Sequence, residues 1–382
     1  MITYGRHLID EEDIKSVVAV LQSDWLTLGP LVDQFEYEIE KISGAPAVSV
    51  TSGTAALHCA YASIELTPGD EVITPPITFI ATQATAVSFG AKIVFADVLP
   101  DTANLDPESV EKKITSRTKA IVAVDYAGHP ADMQELRELA DKHKLFLIED
   151  ASHSFGSIYK EKRVGTLADI TTFSFFPTKN ITTGEGGAVC SQNLRLLDKA
   201  RKFSKQGLVK DLASLKLKNE GPWHQEVQSF GLNYRLNDIL CALGISQIRK
   251  LQEFKSKRER IFQYYNSELS NLEWLVTPAK RNYVNPFWHL YPVRVRPEIR
   301  KALVVFLRSA SIGVQVNYLP AYRHPVFNNS QVEFSNFPNS EQFYNSEVSL
   351  PIHPQLTLDD LEYIVGKIRE FGLYKFKNHF IK

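Results

Sequence analysis

Apolar residues recur through the first 190 positions in two alternating rhythms. Ile14, Val17, Val18 and Leu21 stand three and four apart, as do Leu57, Tyr61 and Ile64. That spacing puts side chains on one face of a helix. Between such stretches run short apolar segments rich in β-branched residues: EVIT (71–74), KIVFADV (92–98), AIVAVDY (120–126) and LFLIED (145–150). ITTFSF (170–175) and GAVCS (187–191) continue the series, and helical patterns at 107–114 and 132–143 separate several members. Strands buried on both faces and joined by helices predict an α/β fold, a mainly parallel sheet with helices on both sides.

After residue 191 the rhythm changes. A helix over 194–205 leads into a polar stretch from Gly207 to Gly231 with little periodicity. One long helical pattern then runs from Asn237, a suitable cap, to about Leu269. A smaller α/β unit follows: a strand over 288–295, a helix over 298–310, a strand over 313–318 and a last helix over 358–370. The division falls near residue 255, giving a large domain of 1–255 and a small domain of 256–382. The basic, aromatic end GLYKFKNHFIK (372–382) reads as a frayed terminus.

Composition narrows the function classes. At 382 residues the chain has room for two cores. Its 43 basic and 44 acidic residues leave a net charge of −1, which argues against a non-specific nucleic-acid binder. Cys59, Cys190 and Cys241 are far apart and form no metal-ligand spacing, so they fit buried thiols in a reducing compartment. No run of about eighteen apolar residues occurs and MITYGRHLIDEED has no signal-type apolar stretch, so a cytoplasmic protein without membrane contact is expected. No G-x-G-x-x-G follows any strand, which weighs against a dinucleotide-dependent oxidoreductase.

The candidate chemistry centres on TFSFFPTKNITTGEGGAV (172–189). Lys179 stands between Phe173, Phe175, Phe176 and Pro177 on one side and Gly184, Gly186 and Gly187 on the other. A lysine in an apolar site loses its proton and becomes an amine nucleophile, the behaviour a carbonyl cofactor such as pyridoxal 5'-phosphate requires. Asp150 ends LFLIED, at the C-terminal end of a strand, where open α/β sheets place their sites. An acid there can keep the cofactor's pyridine nitrogen protonated. Thr51-Ser52-Gly53-Thr54 joins a strand to a helix N-terminus, a setting for a phosphate, with Ser174 as a further hydroxyl. The plainer readings are a loop lysine, a capping acid and an ordinary N-cap. His153 reads equally as a contact to the ring hydroxyl or to the acid and as a satisfied loop histidine, and Phe79 as a ring-stacking aromatic or as core.

Seven segments carry a family resemblance: SDWLTLGP (23–30), TSGTAALH (51–58), GDEVITPPITFIAT (69–82), EDASHSFGS (149–157), SFFPTKNITTGEGG (174–187), GLNYRLND (231–238) and GVQVNYLP (313–320). Through them the chain resembles, nearly end to end, the DegT/DnrJ/EryC1/StrS sugar aminotransferases. The resemblance implies the type I fold of pyridoxal-phosphate enzymes, Lys179 as the internal aldimine, Asp150 on the pyridine nitrogen and Phe79 on the ring. It also implies a phosphate held by Gly53, Thr54 and Ser174, and an obligate homodimer in which Asn233 reaches the neighbouring site. A dehydrating branch carries histidine where this chain has Lys179, so transamination is expected. The opening YGRHLIDEEDIKSVV looks most like the aminotransferases of the pseudaminic acid pathway, which implies L-glutamate as donor and a UDP-linked 4-keto-6-deoxy-N-acetylhexosamine as acceptor. A D-configured sugar, a C3 ketone or a non-catalytic binding protein are the alternatives. Tyr4, Arg6, Trp25, Asn317, Tyr318 and His324 are candidate sugar-nucleotide contacts, with Arg6, Lys205 or Arg235 for its phosphates.

Overall fold

Seven strands form the central sheet in this computed structural model, which describes residues 1–217, 220–330 and 332–377. They are β1 (Ala47–Val50), β2 (Glu71–Thr74), β3 (Lys92–Phe95), β4 (Thr118–Val124), β5 (Phe146–Asp150), β6 (Ile170–Ser174) and β7 (Gly187–Cys190). Their spatial order is β1-β7-β6-β5-β4-β2-β3. Six point the same way, and β7 alone runs antiparallel to both its neighbours. The C-terminal ends of β1, β5 and β6 therefore share one edge, and that edge holds the site.

Helices cover both faces, as the continuous apolar strands require. In chain order they are α1 (Glu11–Leu21), α2 (Pro30–Ser43), α3 (Gly53–Ser63), α4 (Ala81–Val87), α5 (Pro107–Glu111), α6 (Met133–His143), α7 (Leu194–Ser204) and α8 (Asp238–Arg249). The two-residue period decides each strand's partners. Val48 and Val50 of β1 join the core beneath α3 and α7, and Ala47 turns to the α2 and α8 side. On β4, Ala120 and Val122 share the α3 core, and Ile121 and Ala123 pack toward α6. Each valine or isoleucine among them contributes roughly 1.5–3 kcal/mol by leaving water, and each alanine less.

α9 (Leu251–Leu269) links the two cores. Leu251 and Phe254 lie in the core of α2 and α8, whereas Ile261, Phe262, Tyr265 and Leu269 lie in a second one. That second core sits between α10 (Pro297–Ser309), α12 (Leu358–Lys377) and a small antiparallel sheet of β8 (Leu275–Val276), β9 (Tyr291–Val295) and β10 (Glu347–Leu350), with α11 (Pro338–Ser346) before β10. The N-terminus crosses over to it: the Gly313 amide donates to the Ile2 carbonyl.

Four local expectations change. The single helix over 237–269 is two, α8 and α9, because Lys250 leaves the helical ladder and ion-pairs with Asp10 and Asp13. The strand over 313–318 reduces to one bridge between Gln315 and Ser349. Its ladder stops because the Asn317 amide donates to the Glu347 carboxyl and the Asn317 carbonyl accepts from the Tyr126 hydroxyl. On α1 the expected apolar face is largely on the outside, with Ile14 48%, Val18 41% and Leu21 57% exposed. Asp13 and Val20 are buried instead, Asp13 taking hydrogen bonds from Gln247 and Lys250. α12 continues past 370 to Lys377, and residues 378–382 of the expected frayed end lie outside the described residues. Among the described residues no helix is long and apolar enough to cross a membrane, and no His/Cys/Asp/Glu group could hold a metal.

Candidate active site

A cavity of about 460 Å³ opens at the shared strand edge. β1 runs into α3 there, with Ser52 as N-cap accepting from the Ala55 amide at 3.0 Å. The helix start leaves the amides of Gly53 and Thr54 without intrahelical acceptors. Gly53 must be glycine, since a Cβ would come within 2.7 Å of the Ser174 Cβ. Ser174 ends β6 directly beside it, so two strand ends and a helix start form one small hydroxyl-lined cradle.

Asp150 ends β5 and is buried. Its Oδ2 accepts from the Thr82 hydroxyl at 2.7 Å and its Oδ1 from the Ser152 hydroxyl at 2.6 Å. Both oxygens are thereby oriented from outside the strand. Lys179 lies on the loop between β6 and β7. That loop is pinned on both sides: buried Arg258 donates to the Thr178 carbonyl, and the Asn180 side chain donates to the carbonyls of His153 and Phe155. Lys179 is half-buried on the cavity wall, yet the protein around it brings its pKa down to about 8. Burial is the cause, and the Asp150 charge partly opposes it.

His153 and His289 lie with ring centroids 4.3 Å apart. Burial holds both imidazoles well below their usual pKa, and the Lys179 charge adds to it. The Nδ1 atoms of both have no hydrogen-bond partner among the described residues. Phe79 stands 59% exposed on the cavity wall, edge-on to Tyr318 at 6.3 Å. Tyr4, Asn317 and Tyr318 supply polar groups from the small unit's side.

Of the sequence candidates, Gly53, Thr54, Phe79, Asp150, His153, Ser174, Lys179, Tyr4, Asn317 and Tyr318 line this one cavity. Arg6, Trp25, Arg235, His324, Lys205 and Asn233 do not line it within this chain. Trp25 borders a cleft between α1, α2 and α8. Arg235 bonds Gln206 and shares a separate basic cavity of about 590 Å³ with Arg201, Lys202, Lys205 and Lys210. Asn233 is exposed, its backbone bridged to Lys205. Arg6 keeps to the surface, and His324 follows a short 3-10 turn over Ala321–Arg323. Sequence reasoning missed Thr82, Ser152 and His289. Ser152, two residues past the acid, could have been found as an Asx turn; Thr82 is 68 positions from Asp150 and gave no local signal.

The DegT/DnrJ/EryC1/StrS aminotransferase family model matches residues 7–369. The chain belongs to this family. A UDP-4-amino-4,6-dideoxy-N-acetyl-beta-L-altrosamine transaminase from Campylobacter jejuni is 37% identical to it over 95% of this chain and 96% of its own. PseC of Helicobacter pylori, an aminotransferase in the biosynthesis of pseudoaminic acid, superposes with a TM-score of 0.91 at 33% identity, over 98% of this chain and all of its own. Spr1654 of Streptococcus pneumoniae, in its PMP form, gives 0.92 at 28% identity, again over 98% of this chain and 100% of its own. This aminotransferase is therefore a pyridoxal-phosphate-dependent sugar aminotransferase with the type I fold.

The residues present fit that cofactor. The Gly53–Ser174 cradle has no room for a Cβ, the buried His153 Nδ1 waits for a partner, and the Lys179 amine is held near neutrality.

Proposed function

We propose that the aminotransferase moves an amino group from L-glutamate to C4 of a UDP-linked 4-keto-6-deoxy-N-acetylhexosamine, on a route to pseudaminic acid in the cytoplasm. The observation that carries the chemistry is Lys179, an amine with a pKa of about 8 on the wall of the cavity that also holds Asp150, His153 and the Gly53–Ser174 cradle. The 37%-identical C. jejuni relative supports the sugar, and three free buried cysteines support a reducing compartment.

Pyridoxal phosphate supplies a carbonyl that condenses with amines and a ring that accepts the electron pair left on the neighbouring carbon. The chain's own groups do the rest. Lys179, partly unprotonated near neutral pH, takes the proton from the donor's α-carbon and returns one to the opposite carbon. Asp150, oriented by Thr82 and Ser152, would hold the proton on the cofactor's pyridine nitrogen. Gly53, Thr54 and Ser174 bind phosphate through helix-start amides and hydroxyls. His153 would meet the cofactor's ring hydroxyl, and Phe79 would lie against its ring.

The same reading includes a homodimer. The exposed Ile14, Val18 and Leu21 stripe, with Trp25, Leu26 and Leu28 also on the surface, is apolar area of the kind a second copy covers. Asn233 then reaches the partner's phosphate, and the basic cavity around Lys205 and Arg235 serves nucleotide phosphates. The reading keeps the domain division near residue 255, and the course of α9 supports it: Leu251 and Phe254 belong to one core, Ile261 and Phe262 to the other.

The test is a two-step absorbance and mass experiment on the purified holoenzyme. Glutamate alone should bleach the visible cofactor band and release one 2-oxoglutarate per site. A UDP-4-keto sugar should restore the band and yield the 4-amino sugar. Restoration only by a GDP- or dTDP-linked ketone would replace the substrate, and no bleaching with any amino acid would sink the activity.

A further inference from the structure

Every hydrogen-bonding group of Asn317 but one is occupied. Its backbone N–H donates to Glu347 Oε2 at 2.8 Å, and its carbonyl accepts from the Tyr126 hydroxyl at 2.6 Å. Its Nδ2 donates to the Tyr4 hydroxyl at 2.6 Å and to Ser349 Oγ at 3.0 Å. Only Oδ1 is left without a partner among the described residues, in a side chain 9% exposed on the cavity wall.

Which end of an amide faces which neighbour is normally ambiguous. Here Ser349 decides it. A serine hydroxyl carries one proton, and while Glu347 is ionised Ser349 gives that proton to Glu347 Oε1. Toward Asn317 it can then only accept, so nitrogen must face it and oxygen must face the cavity. Glu347 and Ser349 are both fully buried on β10, so solvent does not compete for either bond.

We propose that Glu347, when ionised, is a positioning residue that, through Ser349, fixes Asn317 as a hydrogen-bond acceptor toward the substrate. The substrate group seated there is then a donor: a hydroxyl or an amide N–H. The inference rests on the proposed function, in that a nucleotide-linked sugar occupies this cavity.

The relay has a second state. A protonated Glu347 donates to Ser349, whose own proton turns to Asn317 and selects its oxygen; the amide flips and presents nitrogen to the cavity. Burial pushes the Glu347 carboxyl up to about 8, with Arg300 on α10 opposing, so both states are within reach. The phenols of Tyr4, Tyr126 and Tyr318 also face it, and burial and the Glu347 charge keep all three proton-bound.

The experiment measures KM for the keto-sugar nucleotide and kcat between pH 6 and 9 in the wild-type holoenzyme, Glu347→Gln and Ser349→Ala. Lys179 titrates in the same range, so the difference between proteins is what counts. Glutamine mimics the protonated acid at every pH. Wild-type KM should fall about tenfold as pH rises through about 8, the worth of one hydrogen bond to a positioned acceptor. Both variants should keep the high KM across the range, with kcat at its pH optimum within about twofold of wild type. If Glu347→Gln does not fold, Ser349→Ala decides, because it cuts the relay and leaves the buried acid in place. Variants with the wild-type KM profile would overturn the inference alone. A wild type that binds no nucleotide sugar would overturn it together with the proposed function.

Discussion

Lys179 shows how far one residue's setting carries chemistry. At pH 7 an amine of pKa about 8 is about one-tenth neutral, whereas an ordinary lysine is neutral at well under one part in a thousand. The proton is lost more easily because burial penalises the charged form, so reactivity rises with pH through about 8 and not through the usual lysine range. In protein freed of cofactor, the rate at which pyridoxal phosphate plus borohydride labels Lys179, read by peptide mass, should have its midpoint near pH 8. A midpoint near 10 would show that the site does not activate the amine. The Asp150→Ala variant should still be labelled at Lys179, with its midpoint shifted down, because the Asp150 charge is what opposes the effect of burial. An upward shift would mean that the two groups do not face each other as described.

Elements divide by whether their reasons are local. The seven sheet strands and helices α1, α3, α5 and α6 were legible because each follows from an apolar rhythm a few residues long, whereas α2 and α4 were not read; the strand-end positions of Asp150, Ser174 and Gly53 came with the strands. Non-local ties decided the rest. Lys250 breaks a continuous helical pattern to reach Asp10 and Asp13, more than 230 positions away. Glu347 and Tyr126 take the backbone groups that would have made 313–318 a strand. His289 and Thr82 reach the site through the fold alone, so no spacing announced them. α1 is the instructive case, because its period correctly gave a helix but its apolar face is on the outside. Under the proposed homodimer, a second copy would cover this apolar face. Leu21→Glu, on the most exposed of the three stripe positions, should shift the molecule toward monomer in sedimentation at micromolar concentration and leave the thermal midpoint of the monomer little changed. An unaltered dimer would remove α1 from the interface.

At the scale of the whole molecule the question is whether one chain can complete a site. Within a chain, the cavity gathers Lys179, Asp150 and the Gly53–Ser174 cradle, while Asn233 and the basic group of Lys205 and Arg235 lie elsewhere on the surface. The proposed site shared across a twofold axis would reconcile the two, each copy lending its Asn233 to the other. Mixing inactive variants tests this without any structure. Lys179→Ala lacks the amine but keeps Asn233, and Asn233→Ala has the reverse defect. If Asn233 acts across the interface, a mixed dimer has one site with both defects and one site with neither. Random reassembly of equal amounts makes half the dimers mixed, so about a quarter of all sites should recover wild-type turnover. If Asn233 served its own chain, every site in the mixture would carry one defect, and turnover would only average that of the two parents. The comparison needs just three rates, each parent and the co-refolded mixture at equal total protein. A mixture that exceeds both parents several-fold can arise only from a site built by two chains.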